Sequence, residues 1–291
     1  MTNINPMNAV AMAFLVGRIR PRAFWLLLGW TAVWMTGGVT LQLWMQPTPP
    51  MGNGASEGAT LGYMIQSFAV LPLAFLFWII PFVAWMRLLT TGQDVGWLPV
   101  RFGAEELWAL LVALALTLTV LLVPGVLVAV ILSLSAIHQG FLILNLLFLP
   151  LGIGLLYALV RLTPAVALSA MTRQFAVQRA WDGMKGHVGQ AFLSGLVIVV
   201  ASFVANLVIM AVGLLVPALS LQQDMMQAML TGDRLGLDQI FPYAAVSALM
   251  NLPIALLGYG MSAYFALAIS GRDDDWTRAI ASEEARIEAE D

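Results

Sequence analysis

The chain of 291 residues is far more apolar than a water-soluble protein, with 60% hydrophobic residues, only 10% charged residues and a mean hydropathy of +0.88. Soluble domains carry about 25% charged residues, so this composition excludes a water-soluble fold and predicts a multi-pass membrane protein. The formal net charge is −3 and there is no cysteine, which excludes disulfides, thiol catalysis and cysteine-bound metal.

Apolar runs long enough to cross a bilayer recur six times. A transmembrane helix needs about 20 apolar residues, so residues 9–16 are too short to span and are expected to lie at the membrane interface. The sequence predicts one integral membrane domain, an all-α bundle of six transmembrane helices in three hairpins with interfacial amphipathic helices. The predicted spans are 24–45, 64–86, 107–132, 141–160, 191–218 and 244–269. Residues 270–291 form an acidic tail, expected to be a solvated helix or disordered.

The interval between the fourth and fifth predicted spans, residues 161–190, has the clearest basic excess. Within it, five apolar residues recur at helical spacing. They are Val177, Ala180, Trp181, Met184 and Val188. We expect a short amphipathic helix in the headgroup plane, with Trp181 as its interfacial anchor. A similar stripe of Met and Leu predicts a second interfacial helix in the loop 221–243.

The distribution of bases predicts the orientation of the chain. If the N-terminus is cytoplasmic and the spans alternate, 12 of the 13 Lys and Arg residues fall on the inner side and only Arg234 falls outside. We therefore expect both termini to lie in the cytoplasm.

Six inner bases are candidates for binding anionic lipid headgroups, because guanidinium groups suit phosphate and basic pockets at this face hold anionic lipids. They are Arg87, Arg101, Arg161, Arg173, Arg179 and Lys185. The alternative is that these bases serve as topology signals alone.

The predicted spans contain no Asp, Glu, Lys, Arg or His. Ionisable residues inside a membrane mark proton and ion paths, so their absence argues against a proton-coupled transporter. The amides of Asn145, Asn206 and Asn251 would line a water-filled cavity in a permease, and otherwise form hydrogen bonds between helices.

Signals for catalysis are weak. Glu105 and Glu106 suit the start of a helix, where carboxylates favour the positive dipole end, with a catalytic pair as the alternative. GASEG at 54–58 matches GxSxG, but it lies in a loop without the strand-turn-helix context of a nucleophile elbow. His138 and His187 fall on opposite sides of the membrane and cannot share a metal. We expect no metal, no cofactor and no enzymatic activity.

Two stretches resemble known families. RLTPAVALSAMTRQFAVQRAWDGMKGHVGQAF, residues 161–192, resembles a segment of bacterial six-span inner-membrane proteins of unknown function. These include the YciC-like family and the membrane domain found beside some glycerophosphodiester phosphodiesterases. The shared positions are Arg161, Ala165, Ala180, Trp181, Lys185 and Gly186, whereas Pro164 stands two residues earlier than in the family pattern. GRIRPRAFW, residues 17–25, is similar to the GRxSRxxFW start of another uncharacterised family.

The resemblance implies an inner-membrane bundle with no established reaction, and it does not carry over the phosphodiesterase activity. We expect a non-enzymatic envelope protein that interacts with anionic lipids or a partner protein. The alternatives are a permease or channel for a small neutral or amphipathic solute, and a membrane enzyme. The expected partners are membrane lipids, with another membrane protein or a second copy of the chain as alternatives, and no nucleic acid.

Overall fold

A computed structural model describes residues 5–45, 77–93, 96, 103–137, 144, 146–215, 236–272 and 274–290. These residues fold into helices and contain no strand. The helices are α1 (Pro6–Ile19), α2 (Pro21–Met45), α3 (Phe77–Thr91), α4 (Ala104–Ile137), α5 (Phe148–Leu162), α6 (Ala165–Thr172), α7 (Val177–Gly183), α8 (Val188–Leu215), α9 (Leu237–Ser270) and α10 (Asp275–Glu290).

Five stretches of helix are long and apolar enough to cross a membrane, counting only the described residues. They are Pro21–Met45, Ala104–Leu127, Phe148–Thr172, Val188–Val208 and Leu237–Ser270. The predictions of an all-α fold and of a membrane protein are therefore confirmed. The second predicted span, 64–86, is described only from Phe77 onward, as the shorter apolar helix α3. Six spans in three hairpins consequently remain a prediction.

Helix α1 lies inside the bundle and packs against α2, α8, α9 and α10. Asn5 starts it by accepting a hydrogen bond from the Met7 amide at 2.9 Å. A methyl group added at Gly260 of α9 would come within 3.0 Å of the Ala13 backbone nitrogen, so the two helices cross in close contact. Ala9, Ala13 and Val16 are fully buried. Protein therefore covers most of the apolar residues at 9–16, although Phe14 is exposed. The segment is a packed helix of the bundle, and its depth relative to the membrane stays a prediction.

Helices α2 and α3 are joined by a buried aromatic contact. Trp85 is 0% exposed, and its indole N–H donates to the Thr31 hydroxyl at 2.9 Å. The Phe24 ring meets the Trp85 ring edge-on, with centroids 5.5 Å apart. The polar end of a buried tryptophan needs a hydrogen-bond partner, and Thr31 supplies it across the helix interface.

The acidic tail forms helix α10, which packs on the bundle. The Trp276 indole donates to the Leu89 carbonyl at 3.0 Å, and the Arg20 guanidinium lies 5.6 Å from the Trp276 ring centroid. Gly92 has φ of +61°, and a side chain there would collide with the Trp276 ring. Ile280 is fully buried. Of the two expected forms, the structure shows the helix, and its polar side is exposed. Full solvation is corrected, because the other side of α10 is covered by α1 and the end of α3.

Asp274 caps the start of α10. Partial burial would raise the pKa of Asp274, but hydrogen bonds from the Thr277 amide and hydroxyl at 2.9 and 2.8 Å, together with the Arg272 charge, lower it below its ordinary value. A carboxylate at this position satisfies a free amide of the first helical turn and favours the positive end of the helix dipole.

Candidate functional site

Two of the six candidate lipid-binding bases belong to an internal network of ion pairs. Arg87, at the end of α3, places Nη2 2.7 Å from Oε1 of Glu106 and Nε 3.7 Å from Oε2 of Glu105. Arg173, at the end of α6, places Nη2 2.8 Å from Oε1 of Glu105. The network contains two cations and two anions, so the carboxylates within the protein neutralise both arginines.

The local sequence explains why the carboxylates lie there. Glu106 is the third residue of α4, and its Oε2 accepts a hydrogen bond from the Gly103 amide at 2.9 Å, just before the helix. This is the glutamate half of a capping box. The helix-start interpretation of Glu105 and Glu106 is therefore confirmed, and both carboxylates are held by arginines.

Arg161, at the end of α5, is buried in an aromatic box. The residue is 6% exposed, and its guanidinium carbon lies 4.0 Å from the Trp181 ring centroid and 5.6 Å from that of Tyr157. Nη2 donates to the Trp181 carbonyl, and Nη1 donates to the Tyr157 hydroxyl at 3.3 Å. Arginine stacked on aromatic faces gains a cation–π attraction that strengthens when water is excluded. Arg161 therefore ties α7 to α5, and a headgroup would have to displace these contacts to reach it.

Part of the apolar stripe predicted around Trp181 packs against the protein. Ala180 and Met184 are fully buried, and Val177 packs against the core. Helix α7 ends at Gly183, a turn follows, and Val188 already begins α8. Trp181 is half-buried against Tyr157, with the two ring centroids 6.1 Å apart. Its depth relative to the lipid stays a prediction.

The remaining described candidates, Arg179 and Lys185, are exposed on the α6–α7 surface, which we define as Phe175, Arg179 and Lys185. The Lys185 side chain is 70% exposed, and its ion pair with Asp182 at 3.0 Å joins two solvent-accessible groups. Arg179 and Phe175 are exposed as well. Exposed ion pairs contribute only about 0–1 kcal/mol, so these cations can exchange partners. Arg101, the sixth candidate, lies outside the described residues.

Other sequence candidates do not converge on a second site. The amides of Asn206 and Asn251 each donate to a carbonyl four residues earlier in their own helix, at 2.8 Å in both cases. His187 Nδ1 lies 3.0 Å from Gln190 Oε1. Across the described part of the chain, no group of three or more His, Asp or Glu residues could hold a metal ion. Asn145, His138, the segment 54–58 and the loop 221–235 lie outside the described residues.

Sequence reasoning missed Tyr157 and Arg18. Tyr157 and Arg161 are four residues apart on α5, and side chains at this spacing on a helix meet. The contact between them could therefore have been predicted from the sequence. Arg18 was counted only as a topology signal, because the α9 residues that share a depression with it, Leu249 and Pro253, are distant in the sequence.

Comparison of the chain with protein-family models, with curated proteins and with solved structures found no match. The functional argument therefore rests on the geometry described above.

Proposed function

We propose that this chain is a non-enzymatic protein of the bacterial inner membrane that binds anionic phospholipid headgroups through the α6–α7 surface. The observation that carries the proposal is the division of the bases into two kinds. Arg87 and Arg161 are engaged inside the protein, whereas Arg179 and Lys185 are exposed on a segment that also carries the exposed side chain of Phe175.

This combination is suited to a membrane surface. Exposed cations on a short amphipathic segment are attracted to anionic lipids, and an aromatic ring on the same segment can enter the headgroup region. Each Lys or Arg near an anionic surface contributes about 1 kcal/mol. A protein partner would be the competing interpretation of the same surface, and the experiment below separates the two.

The cytoplasmic orientation belongs to the same proposal. The basic segments are linked by contacts, from Arg20 to Trp276, from Trp276 to Leu89, and from Arg87 through Glu105 to Arg173. Residues predicted to share one side of the membrane are thus neighbours in the fold. The positive-inside rule favours the cytoplasm for that side, and the resemblance to six-span inner-membrane proteins is consistent with it.

We predict that Arg179→Gln combined with Lys185→Gln weakens binding of phosphatidylglycerol by about 10- to 30-fold, since two surface bases contribute about 2 kcal/mol together. Native mass spectrometry of the detergent-purified protein, titrated with phosphatidylglycerol and separately with phosphatidylcholine, measures the change. Phosphatidylcholine binding should not change.

The matched control is Arg278→Gln with Arg286→Gln, which also removes two exposed bases, each paired with an acid on α10. This control should retain wild-type lipid binding. If both double variants bind phosphatidylglycerol like the wild type, the α6–α7 surface does not select lipid, and a protein partner becomes the better interpretation.

A further inference from the structure

A groove of about 380 Å³ opens between α1, α2 and α9. Its walls include Phe14 of α1, Phe24 and Trp25 of α2, and Leu249 and Pro253 of α9. Cavities of about 300–1,000 Å³ are typical of small-molecule sites. The walls of this groove are apolar, so they suit a hydrocarbon chain.

Several side chains around the groove are exposed. Trp25 is 66% exposed, and Phe14 and Leu249 are exposed as well. Exposed apolar side chains of a membrane-spanning bundle face the hydrocarbon of the bilayer, so an acyl chain can reach the groove. Phe24, in contrast, is buried and packs edge-on against the ring of Trp85.

One charged residue, Arg18 of α1, lines this groove. Arg18 is exposed, and among the described residues no carboxylate or hydrogen-bonding side chain pairs with it. Its guanidinium can bind a phosphate through two parallel hydrogen bonds. The groove therefore combines an apolar slot with a single cation at its wall, which is the chemical pattern of an anionic amphiphile.

We propose that this groove, the Arg18 groove, binds one acidic phospholipid, with an acyl chain along Phe14, Trp25 and Leu249 and the phosphate on Arg18. Charge selects the lipid class. In a zwitterionic headgroup the ammonium would meet the like charge of Arg18 itself, whereas an acidic headgroup brings only its negative charge. The acyl chain also distinguishes the ligand from free phosphate, because the apolar walls offer an inorganic ion little beyond Arg18.

The Arg18 groove shares its ligand class with the proposed function, but it uses other residues and other helices. Its test is therefore separate. The readout is quenching of Trp25 by phospholipids brominated on the acyl chain, because bromine quenches an indole in direct contact. The Trp25 component is the difference between the wild-type protein and a Trp25→Phe variant, which leaves the other nine of the ten tryptophans in place.

Brominated phosphatidylglycerol should quench the Trp25 component with an association constant about tenfold higher than brominated phosphatidylcholine, since both lipids carry a phosphate but only phosphatidylcholine adds a quaternary ammonium that Arg18 repels. Arg18→Gln should abolish this preference, and Arg18→Lys should restore part of it because the charge returns without the fork geometry. The matched control Arg22→Gln, on an exposed arginine nearby, should keep most of the preference.

Three results would overturn the proposal. Equal quenching by the two brominated lipids in the wild type would show that the groove holds no selective site. If Arg18→Gln and Arg22→Gln lose the preference for phosphatidylglycerol equally, the preference comes from general surface charge rather than from a site at Arg18. Displacement of the lipid by inorganic phosphate alone would show that the acyl chain contributes nothing. The Arg179→Gln, Lys185→Gln variant should leave Trp25 quenching unchanged, which separates this site from the α6–α7 surface.

Discussion

Replacing Arg87 with Gln should destabilise the protein by about 3–5 kcal/mol, the cost of breaking a buried ion pair by removing one partner. The Glu106 side chain is 8% exposed, and Arg87 Nη2 lies 2.7 Å from its Oε1. Without Arg87, the Glu106 carboxylate would remain buried, and among the described residues only the Gly103 amide would still donate to it. The free energy of unfolding, measured by titrating the purified protein with a denaturing detergent, reports the change.

Two further variants show whether the loss comes from the uncompensated carboxylate. Adding Glu106→Gln to Arg87→Gln should recover much of the stability, because the buried charge disappears with its partner. Arg278→Gln, which breaks an exposed ion pair on α10, should change the free energy of unfolding by less than about 1 kcal/mol. A double variant less stable than Arg87→Gln alone would contradict the network described here.

The second large effect is expected at Trp85. Trp85→Ala should destabilise the protein by about 3–5 kcal/mol, which is typical of deleting a buried aromatic side chain. The ring is 0% exposed, touches Phe24 and donates to Thr31. Its removal would leave a cavity between α2 and α3. The Thr31 hydroxyl would lose the indole donor and keep its own hydrogen bond to the Leu27 carbonyl. The same detergent titration measures the loss.

Trp78→Ala is the matched control, because Trp78 lies on the same helix but is 42% exposed. Trp78→Ala should lower the free energy of unfolding by less than half of the loss expected for Trp85→Ala, since removing the Trp78 side chain opens no enclosed cavity. If the two variants lose equal stability, the packing of α3 against α2 differs from that described.

The sequence predicted the helical class and most of the spans because long apolar runs have few alternatives to a membrane helix. It did not predict the place of α1. An apolar segment of about 10–14 residues can be an interfacial segment or a buried core helix, and the two have the same composition. Only the contact between Gly260 and the Ala13 backbone shows that α1 is a helix packed inside the bundle. The tail posed the same difficulty, because the partners of Trp276 at Leu89 and Arg20 are distant in the sequence.

The candidate site was predictable in composition but not in pairing. Counting bases located the cationic segments, yet it could not show which cations the protein neutralises itself. The ion pair between Arg173 and Glu105 joins residues 68 positions apart, and no local pattern reveals such a contact. Arg161, one of the lipid-binding candidates, stacks on Trp181, because the fold returns α7 to the end of α5.

The central claim is that the basic segments share one face of the membrane, and that this face is cytoplasmic. The chain contains no cysteine, so single cysteines can be introduced without a background of native thiols.

Ser56→Cys tests the loop between the first two predicted spans, Gln174→Cys tests the α6–α7 region and Ser282→Cys tests α10. Each variant is treated with a membrane-impermeant maleimide, first in intact spheroplasts and then after permeabilisation. We expect labelling at position 56 in intact spheroplasts, and labelling at positions 174 and 282 only after permeabilisation. Labelling of position 174 in intact spheroplasts would contradict the account. Labelling of one of positions 174 and 282 in intact spheroplasts and of the other only after permeabilisation would contradict it as well.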